Sequence, residues 1–183
     1  RGAYLSPGPT GSHNWRPMSW NAETGLVYLP AQNTQSYYEM ADSLVYTQGS
    51  WNTGTTIRGG GTPRAERGER PDLTGPRTML LAWDPVTNSE VWRATGKGGN
   101  GGTLSTAGNL VFWGTGNVMV AYDAQSGEEL WSAEVGRNTA TPATYVLDGR
   151  QYITIAGGSG GRNDAPRVTT FTLDALSAAD PGN

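Results

Sequence analysis

Apolar residues in this chain gather in short runs separated by turn-forming clusters. Residues 79–83 (Met-Leu-Leu-Ala-Trp) run into Asp84-Pro85-Val86-Thr87-Asn88, and the chain returns to Trp92. Thirty-nine residues later the pattern recurs: 118–122 (Val-Met-Val-Ala-Tyr), then Asp123-Ala124-Gln125-Ser126-Gly127, then a return to Trp131. Apolar runs of about five residues bounded by Asp, Pro, Asn and Gly predict strands joined by tight turns. A period near forty with turns inside it predicts a β-propeller of about four strands per blade. An indole repeated once per blade suits packing between neighbouring sheets.

Laid along the repeat, the runs predict three blades. The first spans about 14–97, with strands at 14–20, 26–30, 77–83 and 90–94. The second spans 100–136, with strands at 102–106, 109–114, 118–122 and 129–135. The third spans 138–174, with strands at 140–146, 151–156 and 168–173, and is one strand short. Between the second and third strands of the first blade sits an insertion, about 34–75. It opens on Tyr37-Tyr38 and becomes rich in Gly and Arg around Arg64-Ala65-Glu66-Arg67. Insertions of this length are often functional; a solvated excursion and a part in a substrate entrance or acceptor dock are both open. Residues 175–183 form a polar tail. Three blades do not close a ring, and propellers remove edges by joining strands from both chain ends. The expected all-β architecture is therefore the C-terminal part of a larger propeller, as a fragment or as one piece of a nicked protein.

Composition narrows the chemistry. The 183 residues include 27 glycines, 11 prolines, 7 tryptophans, one histidine and no cysteine. Without cysteine there is no disulfide, thiolate metal site or Cys-x-x-Cys-His haem attachment within the chain. A lone His13 builds no multi-histidine metal centre. The net charge of −3 and the lack of a basic stripe argue against nucleic acid. No apolar stretch is long enough to span a membrane. The opening Arg-Gly-Ala-Tyr-Leu-Ser-Pro is not a signal peptide, so any export signal is expected upstream. Asn14-Trp15, Asn100-Gly101 and Asn138-Thr139 each fall where a blade's innermost strand begins. In a propeller such starts face one mouth of the central channel, where amides can meet a ligand's oxygens and glycines allow close approach.

Specific residues carry a family resemblance. Ser12-His13-Asn14-Trp15-Arg16-Pro17-Met18-Ser19 and Asn100-Gly101-Gly102-Thr103-Leu104-Ser105-Thr106-Ala107-Gly108-Asn109-Leu110-Val111-Phe112 resemble the late part of pyrroloquinoline-quinone (PQQ)-dependent alcohol dehydrogenases. So do Gly149-Arg150-Gln151-Tyr152-Ile153 and Ala156-Gly157-Gly158-Ser159-Gly160-Gly161. The resemblance implies an eight-bladed quinoprotein propeller with PQQ on its axis beside a calcium or lanthanide ion. It implies oxidation of an alcohol to an aldehyde or ketone, with hydride passing to the quinone and a catalytic aspartate taking the alcohol proton. Electrons would leave to a cytochrome c or a quinone acceptor, in the periplasm. Cofactor-binding positions would be Asn14 and Trp15, with weaker matches at Asn100 and Gly157. Many relatives place an aromatic residue around 157–159, where this chain has Gly-Gly-Ser. The catalytic aspartate and metal ligands would lie upstream, in the remaining N-terminal blades, so no catalytic or metal residue is expected here and the chain alone would be inactive. Asp84 and Asp123 belong to repeat turns. The alternative is a non-catalytic propeller scaffold of the outer-membrane assembly type, which has no need of amides at the axis.

Overall fold

A computed structural model describes residues 2–57, 62–159 and 163–172, with the backbone alone for Thr56, Ile57 and Asn100. The chain divides into two compact units, Arg1–Asn14 with Gln32–Arg77, and Trp15–Ala31 with Thr78–Asn183.

Within the first unit, β1 (Gly2–Leu5), β4 (Ser36–Met40) and β5 (Thr55–Ile57) form one antiparallel sheet in the order β1-β4-β5. The insertion is thus not all loop. Gly2 pairs with Glu39 and Tyr4 with Tyr37. Tyr37 is buried, edge-on to Tyr4 at 5.2 Å, with the Arg67 guanidinium 5.2 Å from its ring centre. Arg67 also donates through Nε to the Thr62 carbonyl at 2.8 Å, and the Thr62 N–H donates to the Glu39 carboxylate at 2.9 Å. One 3-10 turn, Arg64–Glu66, follows Pro63.

The second unit holds three antiparallel sheets among its described residues. The first orders β2 (Ser19–Trp20), β3 (Val27–Gln32), β6 (Thr78–Asp84) and β7 (Ser89–Thr95). The second is β8 (Asn100–Ser105), β9 (Leu110–Thr115), β10 (Val118–Asp123) and β11 (Glu129–Glu134). The third is β12 (Ala143–Leu147), β13 (Arg150–Gly157) and β14 (Arg167–Thr172).

Alternation along the middle sheet explains its unbroken apolar runs. Val111, Trp113, Val120 and Tyr122 face the first sheet and pack with Leu26, Tyr28, Leu80 and Ala82. Phe112, Met119 and Ala121 face the other way and pack with Val135 and Ile155. A sheet covered on both faces needs apolar residues at even and odd positions alike.

The repeat holds at the level of backbone register. Ala82 pairs with Trp92 and Trp83 with Glu90, a bulge that leaves out Val91; Ala121 pairs with Trp131 and Tyr122 with Glu129, leaving out Leu130. Trp92 then crosses to the next sheet. Its Nε1 donates to the Ala124 carbonyl at 3.1 Å, and its ring packs beside those of Tyr28 and Tyr122, with centroids 5.7 and 6.1 Å away. Trp131 meets Phe171 edge-on at 4.9 Å. Both tryptophans pack against neighbouring sheets. One expected strand is shorter than predicted: 14–20 yields only Ser19–Trp20. Pro17 has no N–H to give a ladder, and its carbonyl instead accepts the Thr103 N–H at 3.0 Å.

Candidate functional site

Three innermost-strand starts lie side by side in the second unit. Pro17 precedes β2, Gly101 and Gly102 lie in β8, and Thr139 to Thr141 precede β12. Glycine makes this packing possible. A Cβ on Gly101 would sit 2.8 Å from the Ala140 and Gly114 carbonyl oxygens and 2.9 Å from that of Thr139; one on Gly102 would strike the Thr141 side chain and approach Pro17 Cδ to 2.9 Å. Thr103, buried, ties β8 to the first sheet through its N–H to Pro17 and its hydroxyl to the Tyr28 carbonyl at 3.3 Å. Ser105 extends the seam by donating to the Trp20 carbonyl at 2.7 Å. Ala140 N–H donates to the Ala156 carbonyl at 2.9 Å, which places the end of β13 beside the third start.

The sequence-predicted site residues fall as follows. Trp15 lies two residues before Pro17, on the approach to this seam, and is 71% exposed. The Arg16 guanidinium stands 5.2 Å from the Trp15 ring centre, within cation–π range. Partial burial lowers the Arg16 pKa from its ordinary value, yet a guanidinium keeps its charge at neutral pH. Asn100 opens β8 and pairs with Thr115; its side chain is outside the described residues. Gly157 ends β13, buried where a Cβ would collide with the Val135 carbonyl. With Asn138, Ala156, Gly158 and Arg167 it borders an open concavity of about 430 Å³. Asn14 belongs to the first unit, exposed, its amide donating to the Thr10 carbonyl at 2.9 Å.

Two features went unnoticed in the sequence. Arg16 follows Trp15 directly, and that adjacency is the sequence signal for it. Thr139 is 8% exposed, and its hydroxyl is buried with no hydrogen-bond partner among the described residues, as is that of Ser19. Such groups are uncommon, and no sequence pattern announces them.

The repeat aspartates are structural. Asp123 Oδ1 accepts the Ser126 N–H at 2.8 Å, its hydroxyl at 2.9 Å and the Gln125 N–H at 3.0 Å; Oδ2 accepts the Asn109 amide at 3.1 Å. These bonds, led by Ser126, hold its carboxyl below the ordinary carboxylate range. Thr87 and Val86 act in the same way on Asp84. A carboxylate so satisfied is a turn acceptor and a poor proton acceptor. Burial, helped by Glu129, pushes the Tyr122 hydroxyl up to about 12, so it stays neutral. Among the described residues no group of three or more His, Asp or Glu could hold a metal ion.

Known proteins resemble this chain over most of its length. The family model for the glucose/ethanol/alcohol dehydrogenase β-propeller domain, PQQ, matches residues 75–153. A quinohemoprotein alcohol dehydrogenase of Comamonas testosteroni is 45% identical over 158 residues, covering 85% of this chain and 22% of that protein. The 1-butanol dehydrogenase (cytochrome c) of Thauera butanivorans is 41% identical over 167 residues, covering 85% and 23%. Quinohemoprotein alcohol dehydrogenase ADH IIB of Pseudomonas putida is 42% identical over 192 residues, covering 96% and 27%. The crystal structure of the Comamonas enzyme superposes with a TM-score of 0.76 at 37% identity, covering 94% of this chain and 28% of that one. A europium-containing methanol dehydrogenase shares the fold, with a TM-score of 0.71 at 24% identity, covering 86% and 27%. The chain spans about a quarter of the length of the curated relatives it matches.

Proposed function

We propose that this chain, which belongs to the PQQ-dependent alcohol dehydrogenase β-propellers, walls the cofactor pocket of an enzyme that oxidises an alcohol to an aldehyde or ketone. When bound, PQQ supplies an electrophilic quinone carbonyl that accepts hydride. The chain's own residues bind and orient. Trp15 offers an exposed aromatic face for a flat heteroaromatic ring, and the Arg16 charge beside it complements a polycarboxylated cofactor. The glycine-edged starts at Gly101 and Gly102 let backbone stand close to the axis. The resemblance brings Asn14 and Asn100 into the same reading as amide donors to quinone oxygens. The residues present fit the cofactor in kind: an aromatic plane, a cation and amides, without an acid–base pair of their own. The proton-abstracting carboxylate and the calcium or lanthanide ligands then belong to blades outside this chain. Electrons pass on to a cytochrome c or a quinone acceptor, and the enzyme works in the periplasm.

The observation that supports this reading most is the seam of three strand starts, Pro17, Gly101–Gly102 and Thr139–Thr141, beside an exposed Trp15. The test is reconstitution of the full-length protein with PQQ and calcium or a lanthanide. Alcohol-dependent reduction of an artificial electron acceptor is expected. Failure to take up quinone, or uptake without turnover of any alcohol, overturns the reading and leaves a non-catalytic propeller.

A further inference from the structure

The concavity of about 430 Å³ lies where β13 ends and β14 begins, and Asn138, Ala140, Gly157, Gly158 and Arg167 are among the residues that border it. Ala140 belongs to the seam as well, since its carbonyl oxygen lies 2.8 Å from where a Cβ on Gly101 would stand. The concavity therefore adjoins the three strand starts. Its wall has little stiffness of its own at Gly158. That residue has φ +104°, and a Cβ there would strike the Ala165 carbonyl. Glycine holds its own backbone least, so the wall needs an outside anchor.

Asp164 supplies one. Its Oδ2 accepts the Ser159 N–H at 2.8 Å and the Arg137 N–H at 3.2 Å. Ser159 follows Gly158, and Arg137 precedes Asn138, so one oxygen grips both segments of the wall. The segments also meet directly, where the Gly158 N–H donates to the Arg137 carbonyl at 2.6 Å. Asp164 Oδ1 stands 3.8 Å from the Arg167 guanidinium, which borders the concavity from the β14 side. The bonds from Ser159 and Arg137, with the Arg167 charge, hold the Asp164 carboxyl below the ordinary carboxylate range. It is thus an ionised acceptor at neutral pH. The repeat aspartates are wired differently. Asp84 accepts backbone N–H groups only two and three residues ahead, within its own turn, whereas Asp164 reaches a partner 27 residues away.

We infer that Asp164 is a positioning residue for the cofactor pocket, fixing residues 137–138 and 157–159 as one wall of the site that takes PQQ. The inference rests on the dehydrogenase reading above. Binding groups keep their geometry only when the residues behind them are themselves held by hydrogen bonds.

The experiment titrates PQQ, with calcium present, into the full-length protein freed of cofactor, and compares the parent with Asp164→Ala, Asp164→Asn and Asp84→Ala. Asp164→Ala should raise the Kd about tenfold or more. Asp164→Asn keeps a carbonyl oxygen that can take both N–H bonds, and its Kd should stay within about threefold of the parent. Asp84→Ala removes a carboxylate from a local turn and should leave the Kd unchanged. In the parent, hydrogen exchange at the Arg137 and Ser159 amides should slow further when PQQ binds. An unchanged Kd in Asp164→Ala overturns the inference. So does an equal loss in Asp84→Ala, which would trace the effect to general stability, or an equal loss in Asp164→Asn, which would show that the two bonds are not its source. Exchange at both amides that ignores PQQ overturns it without recourse to any variant. In each of these cases the parent still binds PQQ and the dehydrogenase reading stands. A parent that binds no PQQ overturns that reading and this inference with it.

Discussion

Gly127 and Gly25 offer a matched pair for testing how Trp92 locks two sheets together. Both end repeat-type turns, after Asp123 and Asn21, and both have positive φ, 75° and 70°. They differ in surroundings. A Cβ on Gly25 meets nothing within 4 Å, whereas one on Gly127 would lie 2.6 Å from Trp92 Cδ2 and 2.7 Å from Cε3. Gly25→Ala should therefore cost only the left-handed conformation, about 1–2 kcal/mol. Gly127→Ala adds overpacking against a ring that cannot retreat, a further 1–3 kcal/mol or so. Retreat is opposed because Trp92 is held by its bond to the Ala124 carbonyl and by its contacts with the Tyr28 and Tyr122 rings. At roughly 2–4 °C per kcal/mol for a chain of this size, the two variants should differ in Tm by about 2–12 °C. The assay is thermal unfolding of both variants, repeated in a Trp92→Leu background, where the excess should vanish. Equal losses for Gly25→Ala and Gly127→Ala would refute the claim that Trp92 seats against Gly127.

Further outcomes follow from the same geometry. Tyr28→Phe removes a buried donor to the Ala124 carbonyl (2.9 Å) and the contact with Thr24 Oγ1 (2.8 Å); it should cost about 1–2 kcal/mol in denaturant unfolding. Asp123 has a folded pKa below its ordinary 3.8, so its contribution is present above about pH 4 and lost as pH falls through the folded value. Asp123→Asn should flatten part of that acid limb in a stability–pH profile, and an unchanged limb would remove Asp123 as a source. Trp15→Ala should weaken PQQ affinity about tenfold or more, by loss of a stacking face worth some 1–3 kcal/mol, with Tm unchanged because the ring is exposed. A fall in Tm with unchanged affinity would make Trp15 a packing residue.

The repeat was legible because its signals are local. Trp92 and Trp131 recur with their aspartate turns at one spacing, and both apolar runs carry the alternation that a doubly covered sheet requires. The sheet of the first unit was not legible, because Gly2 pairs with Glu39 and Ala3 with Tyr38. Such pairing is decided by tertiary contact and leaves no short-range pattern. Residues 14–18 do not pair as strand, because Pro17 has no N–H to give a ladder. At the candidate site, asparagine and tryptophan identities pointed to Asn14, Trp15 and Asn100, while their surroundings needed coordinates. The close fit at Gly101, against the carbonyl oxygens of Gly114, Thr139 and Ala140, is a property of neighbours far apart in sequence.

The most direct test is the structure of the full-length protein loaded with PQQ. The account predicts the cofactor ring in van der Waals contact with Trp15, with β8's opening residues, Asn100 and Gly101, along the pocket wall. A cofactor bound elsewhere, with Trp15 and the start of β8 facing only solvent or protein, would contradict it.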